Sequence, residues 1–288
     1  MEIQLRLDKN NYSPTEIVEG VLYIPHTRNL EFKNFKFRAF GEESTEIKLT
    51  GGIYSYHELI FTEDLSNFLI SSGASKNSKG GFTIPKDLAE FHFKFILPNN
   101  IPSSYEGKNA RILYKIELDG NRKLNKDFFK DLQINVTNKS TKEILDNSPI
   151  IKEKKEKDFS INIELTKKIY YSGDILKGRL TIKNEKEEKK LMTELYLIGI
   201  EEVIGLLQIP KIFFINRKKE EIQMSNTRAK YKIDLVTDDR INMHFEFPLP
   251  QILQKSFSAK FCKYFWMLEV KIKRRFKTKT ISISITII

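Results

Sequence analysis

Apolar and polar residues alternate with a period of two along most of the chain, the pattern of a half-buried β-strand whose successive side chains point to opposite faces. Ile3, Leu5 and Leu7 fall on one side and Gln4 and Arg6 on the other; Phe35, Phe37 and Ala39 oppose Lys36 and Arg38. Phe91, Phe93, Phe95 and Leu97 form a further row, followed by Ile112, Tyr114, Ile116 and Leu118, then Leu132, Ile134 and Val136. The second half repeats the theme with Ile161, Ile163 and Leu165, Leu195 and Leu197, Leu268, Val270 and Ile272, and Ile281, Ile283, Ile285 and Ile287. Turn chemistry separates the rows, at Asn10-Asn11, Ser13-Pro14, Asn99-Asn100, Asp119-Gly120, Ser172-Gly173 and Asn184. Many short strands, each with one wet face, predict an all-β, antiparallel sandwich architecture of the immunoglobulin-like kind.

That architecture is expected twice. Tyr12 to Ile24 aligns without a gap on Tyr170 to Ile182, an offset of 158 that also carries Gly41 onto Gly199. His92 to Pro98 recurs as His244 to Pro250 at an offset of 152, and Ser104-Tyr105, Tyr114 and Glu117 then fall on Ser256-Phe257, Trp266 and Glu269. Matches in the same order at nearly constant offset imply a duplicated domain. The expected boundaries are 1–138 for the first sandwich, 139–157 for a polar charged linker that includes Lys152-Glu-Lys-Lys-Glu-Lys157, and 158–288 for the second sandwich. Ser71 to Gly81, rich in serine, glycine and lysine without apolar periodicity, reads as a mobile surface loop, and Glu63 to Leu69 as a helical turn.

At 288 residues the chain is long enough for two self-sustaining cores. Its single cysteine, Cys262, allows no intrachain disulfide, so a reduced, cytoplasmic setting is the expectation. The N-terminus lacks the layout of a signal peptide, and the longest apolar stretch, Val203 to Ile215, is too short and too interrupted to span a bilayer. The net charge of +11 favours anionic contacts.

The chemistry-bearing signatures are absent: there is no nucleophile elbow, phosphate loop or dinucleotide fingerprint. His26, His57, His92 and His244 lie at no metal-binding spacing, so neither metal nor cofactor is expected. The carboxylate pairs Glu42-Glu43, Glu201-Glu202 and Asp238-Asp239 read as solvated charge at strand ends or turns. Two basic stretches stand out as an anionic-surface or partner-binding candidate: Lys271, Lys273, Arg274, Arg275, Lys277 and Lys279, with Arg217, Lys218 and Lys219. A Lys or Arg near an anionic leaflet contributes about 1 kcal/mol, so roughly five or six together would bind measurably. Nucleic acid is not expected, because no aromatic stacking module is recognisable.

Phe93, Phe95 and Leu97-Pro98, then Pro102-Ser103-Ser104-Tyr105-Glu106-Gly107, then Tyr114, form an ordered set that resembles the arrestin family, most closely its alpha-arrestin branch. Tyr12 to Gly20 in the first half, and Gly173-Asp174 through Gly178 to Asn184 in the second, resemble the opening strands of that family's two domains. Ala89-Glu90 replace a glycine common before the family's Phe pair, no buried charged cluster of the visual and beta-arrestin kind is identifiable, and there is no Pro-Pro-x-Tyr. Ubiquitin-ligase recruitment is therefore not carried over. The resemblance implies two tandem arrestin-like sandwiches and a non-enzymatic cytosolic adaptor, with no small-molecule substrate. It would bind proteins such as the cytosolic tails of membrane proteins or small trafficking GTPases, in sorting or signalling. Two alternatives stay open: a subunit of an arrestin-fold coat or sorting complex, and a peripheral module for anionic membranes.

Overall fold

A computed structural model describes residues 3–50, 52–76, 81–122, 127–138, 148–156, 159–184, 192–206, 221–237, 242–273 and 278–288. The strands, in chain order, are β1 (Gln4–Leu7), β2 (Asn11–Tyr12), β3 (Ile17–Tyr23), β4 (Leu30–Leu49) and β5 (Gly52–Asp64). After the short helix α1 (Ser66–Ser71) come β6 (Ser75–Lys76), β7 (Phe82–Ile84), β8 (Glu90–Ile96), β9 (Tyr105–Glu106), β10 (Ala110–Arg122) and β11 (Phe128–Val136). The second half contains β12 (Ile150–Glu156), β13 (Phe159–Leu165), β14 (Ile169–Tyr170), β15 (Ile175–Asn184), β16 (Met192–Leu206) and β17 (Glu221–Ile233). It ends with β18 (Val236–Thr237), β19 (Asn242–Pro248), β20 (Phe257–Ser258), β21 (Cys262–Lys273) and β22 (Thr278–Ile287).

The chain divides into two compact units, Met1–Lys139 with Gly205–Ile222, and Ser140–Ile204 with Gln223–Ile288. In the first, a three-stranded sheet β1-β3-β8 faces a larger sheet ordered β2-β11-β10-β4-β7-β6, with β5 on β4 and β9 on β10. Phe37 of β4 meets Phe93 of β8 edge to face at 5.3 Å, closing the core between the sheets. The second unit contains the sheets β12-β13-β15-β19-β18 and β14-β22-β21-β16-β17, with β20 on β21.

The two units share one topology. The run β1-β3-β8 corresponds to β13-β15-β19, and β2-β11-β10-β4 corresponds to β14-β22-β21-β16, with a short parallel pair at the same place in each: β2 with β11, β14 with β22. Alternation produces the cores as expected: Phe91, Ile112, Ile116, Leu118, Leu268, Val270 and Ile272 are all fully buried.

Three expectations need correction. Residues 150–156, expected within a linker, form β12, paired along its whole length with β13. Backbone pairing does not depend on side-chain polarity, and a strand at a sheet edge keeps its charged side chains wet, so a mixed-charge run is compatible with that position. In the expected loop, Ser75–Lys76 pairs with Phe82–Ile84, while residues 77–80 lie outside the described residues. The helical turn exists but begins at Ser66, where the Asp64 carboxylate accepts the Ser66 N–H at 2.9 Å.

Candidate functional site

In both units the same hydrogen bonds build the framework. The turn before β3 is held by the Glu16 carboxylate, which accepts the Ser13 N–H at 2.7 Å and pairs with Lys9. In the second unit the Asp174 carboxylate accepts the Tyr171 N–H at 3.0 Å and pairs with Lys167 at 2.5 Å. Each lysine also lies 4.9 Å from the ring of the tyrosine three residues after it, Tyr12 or Tyr170. Burial opposes ionisation of Asp174, yet the hydrogen bonds from Lys167 and the Tyr171 N–H, with the Lys167 charge, outweigh it and hold the carboxyl below its ordinary range.

Gly20 and Gly178 permit close approach. A Cβ on Gly20 would lie 2.5 Å from both the Arg6 carbonyl oxygen and the Phe93 ring; one on Gly178 would lie 2.4 Å from the Phe245 ring and 2.6 Å from the Glu164 carbonyl oxygen. These glycines let β1 and β13 press against β3 and β15.

The remaining signature residues also serve the framework. Phe93, Phe95 and Tyr105 are buried. The Tyr114 hydroxyl donates to the Pro102 carbonyl at 2.6 Å, and the Trp266 indole N–H donates to the Gln254 carbonyl at 2.8 Å. Ser104 Oγ accepts the Val136 N–H and Ser103 Oγ the Asn138 N–H; Ser256 Oγ accepts the Ile287 N–H. Glu106 pairs with Arg111, the Gly107 N–H donates to Ala110, and Pro98 follows the buried Leu97. Asn184 ends β15 opposite Phe159. Burial raises the phenols of Tyr114 and Tyr264, the latter to about 12, with nearby Glu43 adding to the first.

What differs between the units is the edge beside this framework. The Asp8 N–H donates to the Glu19 carbonyl of β3, so in the alternating antiparallel ladder the backbone groups of Leu7, Leu5 and Ile3 point away from β3. No strand among the described residues pairs with them. At the corresponding edge, Thr166 N–H donates to Lys177, and Leu165, Ile163 and Ile161 face β12 in register with Ile150, Lys152 and Lys154. Ile3 and Leu5 are buried on the core side, and a groove of about 550 Å³ runs across β1, β3 and β8, lined in part by Arg6, Asp8, Glu19, Phe68, His92 and Lys94. Sequence periodicity identified β1 as a strand but carried no signal that its outer edge is open.

Of the nine residues in the basic stretches, Lys271, Lys273 and Lys279 are among the described residues. Lys271 pairs with Glu269 at 3.1 Å and Lys273 with Glu194 at 2.7 Å, and Lys279 is half-buried on β22. Arg274, Arg275, Lys277, Arg217, Lys218 and Lys219 lie outside the described residues. Among the described residues no group of three or more His, Cys, Asp or Glu could hold a metal ion. His26 contacts the Ile24 and Pro85 carbonyls, His57 pairs with Glu42 and His92 with Glu90. The expectation of solvated carboxylates fails for Glu43 and Glu201: both lie inside long strands, 158 residues apart, and are 3% and 0% exposed. Extending the rows Phe37-Ala39 and Leu195-Leu197 by two-residue steps reaches Glu43 and Glu201, so the period-two pattern carried the signal that both occupy the inward phase of their strands.

Residues 1–140 match the family model described as Arrestin (or S-antigen), N-terminal domain. That match covers the first 140 of the 288 residues and supports an arrestin-fold family member, and the two-sheet, all-β units are consistent with arrestin-like sandwich domains. No curated protein matches it. No helix among the described residues is long and apolar enough to cross a membrane.

Proposed function

We propose that this chain is a non-enzymatic intracellular adaptor, nearest in kind to the alpha-arrestins, that captures extended segments of other proteins on the open edge of β1. One observation carries the reading: the corresponding edge of the second unit is covered by β12, whereas that of β1 is unpaired among the described residues. An exposed row of N–H and C=O groups pairs with an added strand, while side-chain grooves alongside supply selectivity. Cytosolic tails of membrane proteins and surface segments of trafficking GTPases are the client classes, which places the protein in the cytoplasm and, through its clients, at membranes.

Affinity purification from the native cell, with a photo-crosslinking residue in place of Gln4, tests this. Leu5→Pro removes an outward-facing N–H, and Leu7→Pro serves as the alternative if the first variant misfolds. Crosslinked proteins lost with either folded variant support the reading; an unchanged set of partners, or turnover of a substrate by the purified chain, sinks it. Stable co-purification with a solenoid partner would favour the sorting-complex alternative. Flotation with anionic liposomes that Lys271→Glu and Lys273→Glu abolish would favour the membrane module.

A further inference from the structure

We propose that β12 is a displaceable resident strand, and that the β13 edge beneath it is a second binding site, for extended segments carrying lysines at alternate positions with a hydrogen-bond donor between them. This inference concerns the second unit alone and does not rest on the β1 reading.

β12 is held in an unusual way. None of the described side chains of Ile150 to Lys155 is buried, and Ile151 is 63% exposed. Besides the backbone ladder, two ammonium groups hold it to the facing sheet: Lys152 Nζ donates to the Ser282 carbonyl at 2.7 Å and Lys154 Nζ to the Thr280 carbonyl at 3.2 Å. Both lysines stand opposite inward-facing isoleucines, Ile163 and Ile161, so their stems start on the core side of the sheet and reach across to the edge of β22. Only Ile150, half-buried opposite Leu165, contributes apolar contact, and a strand that buries so little apolar surface opens locally more readily than the strands behind it.

The resident strand is also an imperfect fit. The Asn162 side-chain oxygen on β13 is buried and has no hydrogen-bond partner among the described residues. Its neighbour across the ladder on one side is Thr181, whose hydroxyl donates to Asn242 instead. On the other side it is Glu153, a carboxylate that can only accept and that pairs with Lys155 at 3.0 Å. A buried unpaired acceptor is a standing cost, and a ligand with Gln, Asn, Ser or Thr at the Glu153 position would remove it. The preferred segment is thus Lys-donor-Lys: two lysines repeating the Ser282 and Thr280 contacts, and between them a donor aimed at Asn162.

Two measurements on the full chain test this. In native-state hydrogen exchange, the amides of Ile150, Lys152 and Lys154, which face β13, are expected to exchange on the order of 100-fold faster than those of β15. A fluorescent peptide of residues 149–156 carrying E153Q is expected to bind the Lys152→Glu/Lys154→Glu chain at least about tenfold more tightly than wild type, whose edge is occupied, and more tightly than the native-sequence peptide does. Lys152→Ala/Lys154→Ala replaces the glutamate variant if far-ultraviolet circular dichroism shows misfolding. Adding Leu5→Pro should leave peptide binding intact. Loss of binding on adding Leu5→Pro would assign the peptide to β1 and overturn this proposal while leaving the adaptor reading standing. Equal exchange in β12 and β15, or equal binding of both peptides to both chains, overturns it outright.

Discussion

Thr15 and Gly173 hold the same place in the two halves of the chain, and both have left-handed backbone, with φ of 67° and 84°. Leu97 N–H donates to Glu16 as Leu249 N–H does to Asp174, whereas Thr15 N–H donates to Leu97 and Gly173 N–H one residue further on, to Pro250. The tertiary frame, not the residue type, imposes this geometry, because a β-branched side chain disfavours it.

Exchanging the two residue types therefore has opposite effects. Thr15→Gly is expected to raise stability by up to about 1 kcal/mol, the left-handed penalty less the extra chain entropy of glycine. Gly173→Thr should lower it by about 2 kcal/mol or more, since its Cβ would also displace the Gln251 side chain, 2.8 Å away. Urea denaturation of the two variants checks both signs.

Gly20→Ala and Gly178→Ala have no comparable relief. The new methyl would collide with a backbone carbonyl and a buried ring in each unit, so roughly 3 kcal/mol or more of destabilisation is expected. Thermal melts showing losses under about 1 kcal/mol would contradict the close approach of β1 to β3 and of β13 to β15.

Tyr114→Phe deletes the hydroxyl that reaches Pro102 while preserving the ring. It should cost about 1–2 kcal/mol, the range for a lost buried hydrogen bond. Trp266→Phe removes the matching bond to Gln254 together with more volume, so a larger loss is expected, measured by chemical denaturation with circular dichroism.

Asp174 gives the second unit an acid sensitivity. Its carboxyl is depressed in the folded state, so the stabilisation is present above the unfolded value near 3.8 and disappears as pH falls through the lower folded value. Asp174→Asn should cost about 1 kcal/mol at pH 7, and the gap from wild type should close below about pH 4. A gap of constant size between pH 7 and pH 3 would refute the Lys167 pairing as its source.

The strands, the duplication and the family signature were legible in the chain because each depends on local order: period-two burial, turn residues at fixed points, and glycine or aromatic residues recurring at constant offset. Gly20 with Gly178 and Tyr114 with Trp266 could be matched by position before their contacts were known. Tertiary structure decided what depends on distant neighbours. Ile150–Glu156 resembles a solvated linker because its side chains are wet, yet its backbone completes a sheet; Glu43 and Glu201 resemble surface charge by residue type, yet are enclosed. Ile3, Leu5 and Leu7 resemble Ile161, Ile163 and Leu165, and only the three-dimensional pairing shows that one row faces β12 while the other has no described strand beside it. Hydrogen bonding between strands joins main-chain groups common to nearly every residue, so the side-chain pattern records which face is buried but not which edge has a neighbour.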